Sequence, residues 1–243
     1  MNTEKKKLIE SLKADLINNP IESGAPVYQP IYFDDFKNIK TSLNRDNFHK
    51  KFNLIFKYVD GDLSNKRILD VGSNAGFFSF AAAEKNAVVD ALEPSIRYYE
   101  LCRKLCAIYG ISNINFINNP ISAGFLDNKH YDYGFMLSVF QWISEENNKL
   151  AYAKNILLET SKHTDVLFFE LGCNSGKSAI ETKKKNHLAY VNYLLKNNTT
   201  YKNVKLIGAS KLWGRYYRYL FICSNKDVNV KEPFYSFLKW VNV

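Results

Sequence analysis

The residues between two predicted strands have the types and spacing that a nucleoside-binding site requires. The apolar run 67–71 predicts a strand, the small residues of Gly72–Gly76 predict a tight turn before a helix, and a second apolar run, 87–92, ends at the acid Glu93. In a βαβ unit of this kind, small residues let the backbone approach a ligand, and the terminal carboxylate accepts hydrogen bonds from both ribose hydroxyls. The sequence therefore predicts that the turn and Glu93 hold a nucleoside.

The turn differs from that of a dinucleotide site, which has the spacing G-x-G-x-x-G. Here it reads Gly72-Ser-Asn-Ala-Gly76, and the block D-V-G-S-N-A-G-F-F resembles the first motif of class I S-adenosylmethionine (SAM) dependent methyltransferases. That family usually has a glycine where Asn74 stands. Asparagine tolerates positive φ better than other non-glycine residues, so the turn is retained. A nucleotide-free strand-turn-helix is the alternative, because a glycine-rich turn alone is a weak signal.

The resemblance implies SAM as the cofactor and S-adenosylhomocysteine (SAH) as the product. It places Asp70 and the turn beside the methionine part of the cofactor, Glu93 at the ribose, and Ser138 at the cofactor amino group. An exposed surface acid is the alternative for Glu93, and simple packing is the alternative for Tyr28 and Gln29. The expected cofactor-binding residues are Tyr28, Gln29, Asp70, Gly72, Ser73, Asn74, Gly76, Phe77, Glu93, Pro94, Ile121 and Ser138.

The adenine contacts depart from the family pattern. The family often has an acid after the third strand, where it accepts from the adenine amino group, but the segment 118–122 contains none and the next acid is Asp127. We expect Ile121 to pack on the ring, and either Asn118 or a backbone carbonyl to accept the hydrogen bond.

The order of the apolar runs predicts the fold class. Five strands that alternate with helices imply parallel pairing with right-handed crossovers, and the last two strands, joined by a short loop around Trp213-Gly214, form a hairpin. We predict a Rossmann-like α/β fold with a seven-stranded, mostly parallel sheet, one antiparallel strand and helices on both faces, as the resemblance also implies. The predicted strands are 67–71, 87–92, 114–117, 133–138, 165–170, 203–209 and 217–223, and the predicted helices are 76–85, 95–109, 146–160 and 180–196.

The first 60 residues predict a helical cap or lid, and residues 61–243 predict the SAM-binding domain. Residues 41–59 have a helical pattern, whereas the segment 19–40 is rich in proline and aromatic residues and is irregular. Residues 3–18 form an amphipathic helix that either packs on the domain or attaches to a membrane surface. Its apolar stripe consists of Leu8, Ile9, Leu12, Leu16 and Ile17.

Composition limits the class of protein. A length of 243 residues suits one α/β domain with additions, and the net charge of +9 favours anionic substrates, although an AT-rich coding bias towards Lys and Asn produces the same excess. No apolar run is long enough to span a membrane, and the N-terminus lacks the apolar stretch of a signal peptide. The four cysteines lack zinc-site spacing, so we expect no metal, and we expect reduced thiols in a cytoplasmic protein.

A longer resemblance suggests the acceptor. Residues 27 to 224 resemble the methyltransferase domain of the bacterial O-antigen chain-terminating methyltransferase–kinase, a family that methylates a terminal phosphate on a surface polysaccharide. The segment Gln141-Trp142 stands where that family commonly has two histidines, and the basic helix that contains Arg45 and His49 has a different spacing. The matching segments are Val27-Tyr-Gln-Pro-Ile-Tyr32, Gly76-Phe-Phe-Ser79, Leu137-Ser-Val-Phe140, Phe169-Glu-Leu171 and Arg218-Tyr219.

The residues that would perform the transfer depend on the acceptor. A phosphate oxygen is already anionic and needs orientation and charge pairing, whereas a sugar hydroxyl needs a base. The candidate catalytic residues are His49, Glu170 and Arg45. The candidate substrate-binding residues are Tyr32, Lys50, Gln141, Trp142, Arg215 and Arg218. The alternatives are a solvated charge for each cation, a structural ion pair for Glu170 and a core aromatic for Trp142.

The predicted function is that of a SAM-dependent O-methyltransferase acting on a phosphate or sugar hydroxyl of a bacterial surface glycan (capsule or O-antigen) or its precursor. The alternatives are an RNA methyltransferase, a small-metabolite methyltransferase and a non-catalytic SAM-binding protein. The charge permits RNA, but the chain lacks an Asn-Pro-Pro-Tyr motif and a paired-cysteine motif, so we expect no stable nucleic-acid partner. The expected partner is a small-molecule or glycan acceptor that is anionic.

Overall fold

A seven-stranded sheet dominates the computed structural model, which describes residues 3–43, 45–59, 61–145, 148–172, 180, 187–211 and 217–230. The strand order is β3-β2-β1-β4-β5-β7-β6. Strand β7 is antiparallel to both β5 and β6, whereas β1–β2, β2–β3 and β4–β5 are parallel pairs. The strands are β1 (Arg67–Val71), β2 (Val88–Leu92), β3 (Ile114–Ile117), β4 (Tyr131–Leu137), β5 (Thr164–Leu171), β6 (Asn203–Lys211) and β7 (Tyr217–Ser224). The predicted fold class, with one antiparallel strand, is confirmed.

Helices precede the sheet and connect its strands. The helices are α1 (Thr3–Asn18), α2 (Arg45–Phe56), α3 (Phe77–Glu84), α4 (Ile96–Tyr109), α5 (Ala123–Leu126), α6 (Phe140–Ile143), α7 (Leu150–His163) and α8 (His187–Asn197). The short helices α5 and α6 were not predicted, because four residues are too few to show a helical period. A 3₁₀ turn, Asp34–Phe36, interrupts the irregular segment that follows α1.

Three predicted boundaries differ from the structure or lie outside its described part. Helix α7 begins at Leu150 rather than at 146, because Asn148 and Lys149 form a turn whose amides donate to the carbonyls of Glu145 and Ser144. The predicted helix 180–196 is helical from His187, but Ile180 is not helical and residues 181–186 lie outside the described residues. The predicted hairpin loop at Trp213-Gly214 also lies outside them.

The backbone packs into two compact units, Met1–Pro120 and Ile121–Val243. The first contains α1–α4 and β1–β3, and the second contains the remaining elements. The predicted boundary at residue 60 stays a prediction.

Helix α1 packs inside the first unit. Ile9, Leu12 and Leu16 are buried in one apolar cluster with Leu101 and Leu105 of α4. This packing favours a cap on the domain over attachment to a membrane surface. Leu8 and Ile17, at the edges of the predicted stripe, are exposed. No helix in the described part of the chain has the length and apolar content that crossing a bilayer requires.

The turn between β1 and α3 follows a buried strand. In β1 and in β2 the first residue is exposed and the following four are buried, as expected for strands of a parallel sheet. Gly76 immediately precedes α3 and has φ of 73°, a left-handed conformation that disfavours side chains. A Cβ at this position would lie 2.8 Å from Phe80, 3.0 Å from Phe116 and 3.1 Å from Cys102. Both the conformation and the space therefore require glycine.

Substitution of Gly76 by alanine is expected to lower the free energy of unfolding by about 2–4 kcal/mol, because left-handed strain and overpacking add. Gly110→Ala is the matched control, since Gly110 also has positive φ but a Cβ there meets nothing within 4 Å. That variant is expected to lose only about 1 kcal/mol. Urea denaturation of both variants measures the difference, and equal losses would contradict the steric part of the argument.

Candidate cofactor site

The turn between β1 and α3 has three left-handed residues. The backbone angle φ is 72° at Gly72, 52° at Asn74 and 73° at Gly76. The amides of Gly72 and Ser73 both donate to the carbonyl of Leu92 at the end of β2, at 2.9 and 3.0 Å. The turn is therefore fixed against the end of β2, and the positive φ expected at Asn74 is confirmed.

Glu93 connects this turn to the start of α4. Its side chain is buried, Oε2 accepts the backbone N–H of Asn74 at 2.8 Å, and Oε1 accepts the N–H of Ser95 at 2.8 Å. Burial raises the pKa of Glu93, while these two N–H donors act in the opposite direction. The alternative of an exposed surface acid is wrong. Each carboxylate oxygen retains lone-pair capacity for a further donor, such as a ribose hydroxyl.

Asp70 lies at the end of β1 as a second buried acid. Its Oδ2 accepts a hydrogen bond from Ser79 Oγ on α3 at 2.6 Å. Burial is the main cause of a rise in the pKa of Asp70 to about 7; the charge of Glu93 acts in the same direction, and the hydrogen bond from Ser79 opposes both. Two buried acids therefore lie at this end of the unit, and Asp70 is only partly ionised at neutral pH.

Two polar atoms of the turn have no hydrogen-bond partner among the described residues. Ser73 Oγ and Asn74 Oδ1 are both buried from solvent. Buried polar atoms are normally paired, and unpaired ones call for an explanation. The ribose hydroxyls and the ammonium group of SAM are the kind of donors that these atoms lack. The residues present therefore fit the predicted cofactor.

Residues from the predicted cap form one wall of this site. Gln29 is buried, and its Nε2 donates to the carbonyl of Ser73 at 2.8 Å. The backbone N–H of Tyr28 donates to the Tyr98 hydroxyl at 2.8 Å, and that hydroxyl donates to Glu22 at 2.7 Å. The segment that includes Tyr28 and Gln29 is thus attached both to the turn and to α4.

Asn118 lies on the expected adenine side. Its Nδ2 donates to the carbonyls of Glu93 and Pro94, at 2.9 and 3.1 Å. The amide nitrogen is therefore committed to the backbone, which orients the side-chain oxygen as the group that could accept from an adenine amino group. Pro94 itself is exposed.

An aromatic cluster surrounds Phe77, the first residue of α3. The ring centroids of Tyr32, Phe48, His49 and Phe52 lie 5.2, 4.7, 5.4 and 5.5 Å from that of Phe77, all near perpendicular. Such edge-to-face pairs add to the stabilisation from burial. The cluster packs α2 over the beginning of α3 and places His49 beside the helix that follows the turn.

The other candidates from the cap have different surroundings. Tyr32 donates a short hydrogen bond to Glu84, and burial raises its pKa well above the usual value, with the Glu84 bond acting in the same direction. Lys50 is exposed on α2. Arg45 begins α2, but its side chain lies outside the described residues. Substrate roles for these three residues stay predictions.

In the second unit, Ser138 and Glu170 form a polar pair at the ends of β4 and β5. Ser138 has φ of 57°, its N–H donates to the Glu170 carbonyl at 2.8 Å, and its hydroxyl donates to the Glu170 carboxylate. Gln141 Nε2 donates to the Ser138 carbonyl at 2.8 Å, while its buried Oε1 has no hydrogen-bond partner within the described chain. Strained backbone of this kind is concentrated at functional sites.

The remaining candidates of the second unit are distributed differently. Trp142 is 62 % exposed, so the alternative of a core aromatic is wrong. Arg218 is 9 % exposed, so it is not a solvated charge, and Ile121 is buried. Arg215 lies outside the described residues. Roles in binding stay predictions for all four.

Two of the four histidines lie at the amino ends of strands. His130 contacts Asp165 at 3.0 Å just before β4, and His163 Nδ1 contacts the Lys129 carbonyl at 2.8 Å just before β5. Ligands of parallel sheets bind beyond the carboxyl ends of the strands, so neither histidine is placed for catalysis.

The sequence did not reveal Tyr98, Ser79 or Arg97. The guanidinium of Arg97 donates to the carbonyls of Asn19 and Pro20, at 2.7 and 2.9 Å, and so holds the chain after α1. Each bonds to groups outside its own helix, nine residues away for Ser79 and 70 to 78 residues away for Tyr98 and Arg97. The only local sign was their position on the helices that follow β1 and β2.

Comparison with known proteins identifies the fold. No protein-family model matches the chain, and no curated protein sequence matches it. The bifunctional kinase-methyltransferase WbdD superposes with a TM-score of 0.70 and 19 % identity, over 89 % of this chain and 46 % of WbdD. The N-terminal domain of EvdMO1 with SAH bound superposes with a TM-score of 0.64 and 10 % identity, over 93 % of this chain and 98 % of that domain. The chain has the fold of these proteins.

A second structure of the EvdMO1 domain, in the presence of SAH and D-fucose, has a TM-score of 0.62, 10 % identity and the same coverage. The chain spans less than half of the length of WbdD. The predicted resemblance to the methyltransferase domain of a methyltransferase–kinase is therefore confirmed for the fold.

Asp70 makes stability depend on pH. Because its pKa of about 7 in the folded protein exceeds the ordinary value of 3.8, its contribution to the free energy of unfolding is full below about pH 4 and is lost as the pH rises through 7. Asp70→Asn keeps an oxygen that can accept from Ser79 and removes the ionisation. The free energy of unfolding of wild type, relative to that of Asp70→Asn, is expected to fall between pH 4 and 8. Urea denaturation of both proteins across this pH range tests the expected fall. Parallel curves of unfolding free energy against pH would contradict it.

Proposed function

We propose that the chain is a SAM-dependent O-methyltransferase whose acceptor is a phosphate or sugar hydroxyl of a bacterial surface glycan or its precursor. The observation that carries the proposal is the buried Glu93 carboxylate bonded to the left-handed turn, beside two unpaired polar atoms. The fold that the chain shares with WbdD and with the SAH-bound EvdMO1 domain supports the same cofactor.

The residues of the first unit would bind and orient the nucleoside. Glu93 and the turn would hold the ribose, Gln29 fixes the turn from the cap side, and Asp70 would lie near the methionine part. When bound, the sulfonium supplies an electrophilic methyl group. Transfer forms one carbon–oxygen bond and breaks one carbon–sulfur bond, so orientation and exclusion of water are the protein's main tasks.

The acceptor class rests on three observations. The resemblance over residues 27–224 is to a family that methylates a polysaccharide phosphate, and the net charge of +9 favours an anionic acceptor. EvdMO1 was crystallised in the presence of a sugar, D-fucose. We therefore propose a cytoplasmic enzyme of capsule or O-antigen polysaccharide synthesis that requires no stable nucleic-acid partner.

The need for a base distinguishes the two acceptor types. A phosphate oxygen carries its negative charge before reaction, whereas a hydroxyl must lose a proton to a group such as His49 or Glu170. Cationic residues, with Arg45, Lys50, Arg215 and Arg218 as the candidates, would orient a phosphate by charge pairing.

Transfer of labelled methyl from SAM to a panel of hexose phosphates and matched unphosphorylated hexoses tests the proposal. Wild type is expected to label a member of the panel. With a phosphate acceptor, His49→Asn and Glu170→Gln should each retain the rate within about threefold; with a hydroxyl acceptor, the variant that lacks the base should lose about 100-fold or more. Labelling of RNA or of a small amine or carboxylate, with none of the sugars labelled, would contradict the proposed acceptor.

A further inference from the structure

Asn74 differs from the other asparagines that have left-handed backbone. Asn65, Asn86 and Asn128 have φ of 64°, 70° and 60° and are exposed, so solvent can satisfy their side chains. Asn74 has φ of 52°, but its Oδ1 is shielded from solvent. The conformation alone explains asparagine at the three exposed positions. It does not explain a side-chain amide with a shielded oxygen at position 74, where a glycine would satisfy the same turn.

Every other polar group of Asn74 has an assigned role. Its N–H donates to Glu93 Oε2 at 2.8 Å, and its carbonyl accepts from Cys102 Sγ at 3.3 Å. Burial raises the pKa of Tyr98 most strongly, and a hydrogen bond from the Asn74 side chain opposes that rise, which places the amide group against the Tyr98 hydroxyl. Only Oδ1 lacks a hydrogen-bond partner among the described residues.

The position of Asn74 indicates which donor would bond to its Oδ1. Its peptide N–H is bonded to the same carboxylate that is proposed to hold the ribose, so the side chain belongs to the ribose end of the site. Each oxygen of Glu93 accepts one backbone N–H and keeps capacity for one further donor. An acceptor beside Glu93 would add a contact to the same ribose.

We propose that Asn74 Oδ1 accepts a hydrogen bond from a ribose hydroxyl of the adenosyl ligand. The inference rests on the proposed cofactor and adds a residue to its recognition. The asparagine is thus a ligand contact as well as a turn residue, and the departure from the family's glycine changes how the nucleoside is held.

Calorimetric titration of Asn74→Gly with SAH and with methylthioadenosine tests the inference. Glycine adopts positive φ freely, so the turn is kept while the acceptor is removed. Methylthioadenosine has the ribose but lacks the amino-acid part. The variant is expected to bind both ligands about five- to tenfold more weakly than wild type, by the same factor, as the loss of one hydrogen bond predicts.

Asn65→Gly is the matched control, because it makes the same change at an exposed left-handed position and should leave both affinities unchanged. Unchanged affinity of Asn74→Gly would overturn the inference, and a loss confined to SAH would overturn the ribose assignment in favour of the ammonium group. Failure of wild type to bind SAH would instead overturn the proposed function itself.

A crystal structure of the wild-type complex with SAH provides a test that does not depend on the variant folding. The expected result is a distance of about 3.2 Å or less between Asn74 Oδ1 and a ribose oxygen. A distance beyond about 4 Å to both ribose oxygens would overturn the inference.

Discussion

The site depends on one buried carboxylate that accepts two backbone N–H groups. Glu93 directly follows β2, and its oxygens bond to Asn74 in the turn after β1 and to Ser95 before α4. The preceding residue, Leu92, accepts from Gly72 and Ser73, so the ends of both strands are joined at the same place. Burying a carboxylate is costly unless it is hydrogen-bonded. These bonds offset that cost and fix the turn and the acid as one structure.

Hydrogen bonds also attach the cap to this turn and to α4. Gln29 bonds to the turn, and Tyr98 joins the backbone of Tyr28 to the side chain of Glu22, so the irregular segment after α1 is held by specific hydrogen bonds. A wall that is ordered before the ligand arrives lowers the entropic cost of binding. Tyr28 and Gln29 are therefore ordered together with the turn.

The sequence predicted the parts of the molecule that local pattern determines. The seven strands, the left-handed Asn74 and the acid at the end of β2 follow from apolar runs, turn residues and their order. The apolar stripe of α1 includes Leu8 and Ile17, which are exposed, because periodicity does not show how much of a helix its partner covers. The start of α7 was missed, since the turn at residues 148–149 depends on hydrogen bonds rather than on composition. Tyr98 could not be predicted, because its role arises from tertiary packing.

Calorimetric titration with SAH of wild type, Glu93→Ala and Glu100→Ala tests the central claim most directly. Glu100 is exposed on α4 and supplies a control that removes a carboxylate away from the turn. Wild type and Glu100→Ala are expected to bind SAH with micromolar affinity. Glu93→Ala is expected to bind SAH about 100-fold or more weakly, because the two proposed hydrogen bonds from the ribose hydroxyls to the charged carboxylate are removed. Absence of heat and of a thermal shift in wild type, or equal affinity of Glu93→Ala, would contradict it.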